Sequence, residues 1–195
     1  MDWNRVTSYH DPSVDDEALI DRVRRGDADG ASILTRRYWP AIHRFCATYL
    51  GDAHLAEDVA QETFAKLARL EELPTGSFKP WIYKVARNRC LDILRRHQRS
   101  PTHHRPIRTG FDVALSQSGP GTRAGRQERR ELIREIIATM PADYRDVLTL
   151  KYFEGFSRAE IAESLETSEA TVKGRLFRAS EYLEEALRKH SWAQP

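Results

Sequence analysis

Residues 156–179 read FSRAEIAESLETSEATVKGRLFRA, and this stretch decides the fold of the C-terminal part of the chain. It opens in the form of a capping box. The Ser157 hydroxyl can accept from the amide of Glu160, while that carboxylate reaches back to the Ser157 amide. Residues 166–168 form a tight connection, after which Ser168 can cap a second helix. The stretch therefore predicts two short helices joined by a turn.

The second of these helices is predicted to have a basic outer face. Val172 and Leu176 are spaced to point inward, and Lys173, Arg175 and Arg178 then project outward with no acidic residue between them. A basic second helix is typical of a helix-turn-helix, in which that helix lies in the major groove of DNA. The pattern alone also fits a helical hairpin with a solvated basic face.

Most of the remaining chain has apolar residues at three- to four-residue spacings, which predicts an all-α protein. Gly26 ends the first helix, residues 51–52 separate the second from the third, and residues 73–77 form a loop before the fourth. Two more helices are predicted before residue 156. The predicted inward residues are Leu19, Ile20, Val23; Ile33, Leu34, Tyr38, Ile42, Phe45, Tyr49, Leu50; Leu55, Val59, Phe64, Leu67, Leu70; Trp81, Ile82, Val85, Leu91, Leu94; Leu132, Ile133, Ile136, Ile137; and Val147, Leu148, Leu150, Tyr152.

Residues 99–127 interrupt this periodicity. The segment holds three prolines, four glycines and scattered basic residues, and it is too long for an ordinary connection within a compact domain. We therefore predict two small helical domains joined by a long flexible linker. The predicted divisions are a leader at 1–14, a first domain at 15–98, the linker at 99–127, a second domain at 128–190 and a tail at 191–195.

The composition excludes several classes of protein. The 195 residues are 40% hydrophobic and 31% charged, with no run of about 18 apolar residues that could span a membrane. The N-terminus lacks the apolar segment of a secretory signal. Cys46 and Cys90 are far apart and fit neither a disulfide framework nor a zinc site. We expect a cytoplasmic protein with no membrane insertion, no metal ion and no cofactor.

Charge falls into two neighbouring blocks of opposite sign. Residues 52–72 hold six acidic and two basic residues, whereas residues 79–108 hold nine basic residues and one acidic residue. A solvated helical face usually mixes its charges, so such blocks indicate two different partners. The basic block suits a nucleic acid, and the acidic block would repel one.

Aromatic and basic residues alternate at the start of the basic block. Aromatic faces can stack on unpaired bases while Lys and Arg follow the phosphates, and the Asn88 amide can pair with a base edge. The loop 73–77 before this helix could hold a flipped base. The simpler interpretations are that Trp81 belongs to the core and that the loop only connects two helices.

The acidic block contains Asp58, Gln61 and Glu62, which fall on one helical face at positions i, i+3 and i+4. Such a face could dock against an Arg-rich helix of a protein partner, or it could simply be solvated. We will call these three residues the acidic face.

Motifs that accompany catalysis are missing from the sequence. There is no Gly-rich phosphate loop, no HExxH and no nucleophile elbow. The His103-His104 pair lies in the predicted linker without cysteine or acidic companions. We therefore do not expect an enzyme.

Two groups of these motifs resemble a known family. DVAQETF at 58–64 and FKPWIYKVARN at 78–88 resemble region 2 of the bacterial extracytoplasmic-function sigma factors, which belong to the sigma-70 family. Residues 148–152, 157–165 and TVKGRLFRA at 171–179 resemble region 4 of the same family. Both groups occur in the family's order, and the resemblance covers roughly residues 15–190.

The resemblance implies a sigma factor that binds core RNA polymerase, recognises the −10 and −35 promoter elements and promotes DNA melting. The acidic face (Asp58, Gln61, Glu62) would dock on the clamp helices of the largest polymerase subunit. Residues implied to bind the −10 element as single-stranded DNA are Pro74, Thr75, Gly76, Ser77, Phe78, Lys84, Arg87 and Asn88. Residues implied to bind the −35 element as duplex DNA are Glu169, Thr171, Lys173, Arg175, Phe177 and Arg178.

The resemblance also implies an anti-sigma factor as a separate regulatory partner. One departure is Gly174, which stands where the family commonly has Ser. Two other interpretations stay open at this point. One is a dimeric helix-turn-helix repressor or activator, and the other confines DNA binding to the second domain and makes residues 15–98 a protein-interaction bundle.

Overall fold

The computed structural model describes residues 14–69, 73–74, 76–99, 132–133, 135–137 and 139–192. Regular structure within these ranges is entirely helical, which confirms the predicted all-α class. The predicted leader up to residue 13, the predicted linker from residue 100 onward and the tail from residue 193 lie outside the described residues. None of the helices described contains an apolar stretch long enough to cross a membrane.

Four helices build the N-terminal unit, residues 14–99. They are α1 at Asp16–Arg24, α2 at Ala28–Leu50, α3 at Ala53–Ala68 and α4 at Phe78–Arg99. Local chemistry sets the boundary between α2 and α3. Gly51 adopts a left-handed conformation with φ 62° and ends α2. The Asp52 side chain then caps α3 by accepting from the amides of His54 at 2.8 Å and Leu55 at 3.0 Å.

Helix α2 forms the centre of the N-terminal unit and packs against α1, α3 and α4. The predicted inward residues Leu34, Ile42 and Phe45 are buried. The Phe45 ring lies 4.9 Å from the Tyr49 ring and 5.0 Å from the Tyr83 ring, so an aromatic cluster joins α2 to α4. Burying each such side chain contributes about 1.5–3 kcal/mol. This core fixes the relative positions of α3 and α4, which carry the acidic and basic blocks.

The C-terminal unit, residues 132–192, also consists of helices. Residues 132–133, 135–137 and 139 are helical, and we call them α5. They are followed by α6 at Ala142–Leu148, a π-helical turn at Thr149–Phe153, α7 at Arg158–Ser164 and α8 at Glu169–Trp192. Leu148 and Leu150 are buried, as the periodicity predicts, but Tyr152 is 63% exposed. The π-helical turn widens the helix and shifts its register, so Tyr152 does not lie on the buried face.

The two units pack against each other through α4 and α7. The Tyr83 ring of α4 meets the Phe156 ring edge-on, with 5.0 Å between centroids. Both residues are buried, and the buried residues of the two units form one continuous core. The sequence permits either packed or separate units, and the structure has them packed.

Candidate protein and nucleic-acid interfaces

The acidic face lies on the outer side of α3. Asp58, Gln61 and Glu62 are exposed, while Val59 and Thr63 between them are buried in the core. Glu62 also contacts α4, because its Oε1 accepts from Arg89 Nη2 at 3.0 Å. This hydrogen bond is the main reason that the pKa of Arg89 is raised above its ordinary value. The acidic face is therefore presented to solvent at Asp58 and Gln61 and is joined to the basic helix at Glu62.

A cleft of about 380 Å³ opens between α3 and α4. Its lining brings together three basic residues, an aromatic ring and an amide. Pro74, Lys84 and Asn88, all predicted to bind DNA, lie in this lining, together with Lys66, which was not among the predicted site residues. Lys66 follows Glu62 by one helical turn, which is the signal that could have placed it beside the basic helix. Further lining residues are Glu62, Thr63, Leu73, Trp81, Val85, Arg89 and Asp92.

Trp81 is only partly buried and lines this cleft, although the simplest interpretation of the sequence assigned it to the core. Its ring also packs against Phe78, with centroids 5.7 Å apart. An aromatic ring next to cationic side chains and an amide suits an unstacked base. The cleft therefore offers stacking, charge and hydrogen bonding in one place.

The other residues predicted for the −10 element have different surroundings. Phe78 is buried and contacts Tyr38 edge-on at 5.2 Å, so it anchors the start of α4. Gly76 is exposed, and the Ser77 amide donates to Glu163 Oε1 at 3.2 Å. Arg87 points away from the cleft toward Asp146. Thr75 lies outside the described residues.

The helix-turn-helix is formed by α7, the turn after it and α8. The predicted capping box is confirmed: the Ser157 amide donates to Glu160 Oε2 at 2.7 Å, and the Glu160 amide donates to Ser157 Oγ at 3.2 Å. Burial works to raise the pKa of Glu160, but hydrogen bonds from Ser157 outweigh it and hold that pKa below its ordinary value. Ser168 caps α8 as predicted, since its Oγ accepts from the Thr171 amide at 3.1 Å.

The residues predicted for the −35 element line the first half of α8. Lys173, Phe177 and Arg178 are exposed, and the Phe177 side chain is 65% accessible. Arg175 is partly buried and forms an ion pair with Asp143 of α6 at 2.9 Å. Glu169 and Thr171 are exposed in the first turn.

Gly174 lies in the same helix with open space around it. No other described atom would come within 4 Å of a Cβ at that position. Packing therefore does not require glycine here, and the residue lowers the helix propensity by about 0.5–1 kcal/mol relative to alanine.

Comparison with known proteins assigns both units. The Sigma-70 region 2 family model matches residues 34–100, and the Sigma-70 region 4 family model matches residues 130–183. These matches define the class as sigma-70-type transcription factors. The ECF RNA polymerase sigma factor SigM of Bacillus subtilis is 32% identical over 151 residues, covering 77% of this chain and 90% of that protein. The chain belongs to the extracytoplasmic-function sigma factors of RNA polymerase.

Other relatives agree with this assignment. The RNA polymerase sigma-H factor of Pseudomonas aeruginosa is 31% identical over 180 residues, covering 88% of this chain and 93% of that protein. Among solved structures, CnrH in complex with the cytosolic domain of CnrY superimposes with a TM-score of 0.65 at 21% identity, covering 89% of this chain and 97% of that one. That likeness concerns the fold. The function of the chain is promoter recognition in transcription initiation, as in its family.

Proposed function

We propose that the N-terminal unit captures the non-template strand of the −10 element in the cleft between α3 and α4. The observation that carries this proposal is the lining of that cleft, where Trp81, Lys84 and Asn88 offer a ring, a cation and an amide. A flipped base could stack on Trp81 while Asn88 pairs with its edge. Lys84 and Lys66 would then follow the phosphates. Leu73 and Pro74 also line this site. We call Lys84, Arg87, Asn88 and the cleft together the −10 face.

We propose that the acidic face binds the clamp helices of the largest subunit of core RNA polymerase. Asp58 and Gln61 are exposed on the outer side of α3, away from the core contacts of Val59 and Thr63. A carboxylate and an amide on one helical turn suit arginines on a partner helix. The acidic face also lies beside the −10 face, because Glu62 and Arg89 join α3 to α4. Docking on polymerase would thus hold the cleft close to the DNA.

We propose that α8 reads the −35 element as duplex DNA. Lys173, Phe177 and Arg178 are exposed on one side of it, and capping by Ser168 fixes where the helix begins. A helix of this kind reads base edges in the major groove with its N-terminal residues. The proposed division of labour therefore follows the predicted domains at 15–98 and 128–190, with 99–127 as the linker between them.

The remaining parts of the proposal concern partners and compartment. The chain would act in the cytoplasm. It would need no catalytic step of its own to melt DNA, because binding energy from extruded bases can offset the cost of unpairing. An anti-sigma factor is proposed as a regulator. Solved structures of the same fold are complexes of this kind, as with RpoE and the anti-sigma factor NepR of Bartonella quintana at a TM-score of 0.54 and 23% identity. A dimeric regulator would leave the region 2 match at 34–100 unexplained.

The test of the −10 assignment uses holoenzyme assembled from the full chain and bacterial core RNA polymerase. Lys84→Ala and Asn88→Ala should each weaken binding of a single-stranded −10 oligonucleotide by about tenfold, which corresponds to roughly 1–2 kcal/mol. Arg36→Ala removes one exposed positive charge elsewhere in the unit and serves as the control. Wild-type affinity in both cleft variants would refute the assignment, and failure of the full chain to bind core polymerase would refute the acidic-face proposal.

A further inference from the structure

The loop between α3 and α4 is attached to α1 by a hydrogen bond. Arg24, the last residue of α1, donates from Nη2 to the carbonyl oxygen of Pro74. The two residues lie 50 positions apart in the sequence. Pro74 is buried and lines the cleft where the proposed function places the −10 strand. The hydrogen bond therefore joins α1, which has no part in the proposed function, to the wall of the proposed DNA site.

The Arg24 guanidinium is held on two sides. Its Nη1 donates to Asp21 Oδ1 at 2.7 Å, one turn earlier on α1, while its Nη2 donates to Pro74. A guanidinium is planar and its donors have a fixed geometry, so the contact with Asp21 sets the direction in which Nη2 points. Both side chains of this ion pair remain partly exposed, at 44% for Arg24 and 60% for Asp21.

Helix α1 is a rigid base for this contact because it packs very closely against α2. Leu19 of α1 is fully buried. A Cβ at Gly30 of α2 would come within 2.9 Å of the Leu19 carbonyl oxygen, so this approach requires glycine. At the other end of α1, the Asp16 carboxylate accepts from the hydroxyl of Tyr38 on α2. The position of α1 is thus fixed along its length.

The far end of the loop is fixed by the same framework. Phe78 begins α4, is buried and meets the Tyr38 ring edge-on, with 5.2 Å between centroids. Between the two anchored ends at Pro74 and Phe78, Gly76 is exposed. A short segment held at both ends has few conformations left to lose, so it is preorganised for a ligand.

The identity of Pro74 makes the hydrogen bond from Arg24 more effective. The pyrrolidine ring holds φ near about −65°. Rotation about ψ would swing the carbonyl oxygen away from the guanidinium, so the hydrogen bond restricts ψ as well. Both backbone torsions of Pro74 are therefore constrained, and the chain leaves this residue in one direction. Without Arg24, only φ would stay fixed.

We infer that Arg24 is a positioning residue for base recognition at the −10 element, because it holds the Pro74 carbonyl and so sets the course of the loop 73–77 beside the cleft. Arg24 acts through the loop and makes no contact with DNA phosphates. Asp21 supports this role by orienting the guanidinium. The inference rests on the proposed binding of a flipped −10 base in the cleft.

The test uses holoenzyme assembled from the full chain and bacterial core RNA polymerase. The probes are single-stranded −10 oligonucleotides from a promoter that the holoenzyme transcribes in vitro, each with one base changed. Arg24→Ala should lower the preference for the original base about three- to tenfold at one position, since a wrong base in a site costs about 1–3 kcal/mol. Arg25→Ala removes the same charge from the next residue, which is exposed, and should leave that preference within about twofold of the wild type.

Salt dependence separates a positioning role from a phosphate contact. Loss of one phosphate contact lowers the slope of log affinity against log salt concentration by about 0.7 for a single strand, whereas Arg24→Ala should leave this slope unchanged. Asp21→Asn keeps the Arg24 charge but frees its guanidinium, so it should also lower the base preference, by a smaller factor. Tighter binding of every probe alike by Asp21→Asn would mean that local charge matters instead, and this would overturn the inference.

A double-mutant cycle tests whether Arg24 acts through the loop. Pro74→Gly frees φ and should lower the base preference at the same position. Because both residues act on one peptide, adding Arg24→Ala to Pro74→Gly should lower it little further. Additive losses from the two substitutions would overturn the inference.

Urea unfolding of each variant checks that the fold is kept, and if Arg24→Ala does not fold, Asp21→Asn carries the comparison of base preference. Unchanged base preference, or uniform weakening with a lower salt slope, would overturn the inference and leave the proposed function intact. A wild-type holoenzyme that shows no preference among the probes would overturn both.

Discussion

Arg87 of α4 and Asp146 of α6 form an ion pair across the boundary between the two units, with 2.6 Å between Nε and Oδ2. Asp146 is fully buried, and the Arg87 side chain is 19% exposed. Burial works to lower the pKa of Arg87, but attraction to Asp146 and Tyr49 and the hydrogen bonds to both together outweigh it and raise that pKa above its ordinary value. The Arg87 guanidinium therefore stays charged although it is largely shielded from water, and the buried Asp146 carboxylate lies directly against it.

Removing one member of this pair should destabilise the packed form strongly. Asp146→Asn leaves Arg87 without its counter-charge, and we expect a loss of about 2–4 kcal/mol in the free energy of unfolding. Urea unfolding followed by far-UV circular dichroism measures it. Asp143→Asn is the matched control, because Asp143 pairs with Arg175 at the surface, where such pairs contribute about 0–1 kcal/mol. A loss below about 1 kcal/mol in Asp146→Asn would contradict the prediction.

Polymerase binding should depend on Asp58 without any change in fold. Asp58→Lys reverses an exposed charge on the acidic face, so affinity for core polymerase should fall at least about tenfold while the unfolding midpoint stays within experimental error. Glu62→Lys is a less clean test, because it would also disrupt the contact with Arg89. Asp29→Lys reverses an exposed charge on α2, outside the acidic face, and is the control. The two variants would bind polymerase equally if the acidic face were only solvated.

Local rules were enough to predict the helices. Capping by Ser157 and Ser168 depends on residues at most three positions apart, and the structure contains both. The 3.6-residue periodicity likewise selected Leu34, Ile42 and Phe45 as core residues, and all three are buried. Such features depend on neighbours in sequence, and so a single chain carries enough information to infer them.

The features missed by the sequence analysis depend on residues far apart in the chain. No sequence pattern assigns a role to Asp146, since nothing in its neighbourhood points to Arg87, which lies 59 positions away. Glu166 falls in the predicted connection at 166–168, and no local pattern indicates its contact with Lys84. The π-helical turn adds one residue per turn, and this moved Tyr152 out of the predicted stripe. Packing between the units likewise depends on contacts between residues far apart in the sequence, which local patterns do not specify.

The helix-turn-helix should lose stability in mild acid through Glu160. The folded-state pKa of this carboxyl is lowered below 4.5, so its contribution is present above that pH and is lost as the pH falls through the folded value. The difference in unfolding free energy between the wild type and Glu160→Gln should therefore have its maximum value near about pH 7 and shrink below pH 4.5. Urea titrations at a series of pH values give this difference. If this difference in unfolding free energy instead grew as the pH fell, the prediction that folding lowers the pKa of Glu160 would be contradicted.

Base discrimination at −35 should depend on Arg175 and not on Lys173. Arg175 is held by Asp143 at 2.9 Å, which limits where its guanidinium can point, whereas Lys173 is exposed. Arg175→Ala should therefore cost about 1–3 kcal/mol on the preferred −35 duplex and relax specificity at one base pair. Lys173→Ala should weaken binding to all duplexes alike and lower the salt slope, which is the slope of log affinity against log salt concentration, by about one.

Asp143→Asn should reduce base discrimination with little effect on the salt slope, because it loosens Arg175 without removing a cation. Binding isotherms at several salt concentrations, on duplexes with single base-pair changes, separate these outcomes. Uniform weakening by Arg175→Ala would make Arg175 a phosphate contact.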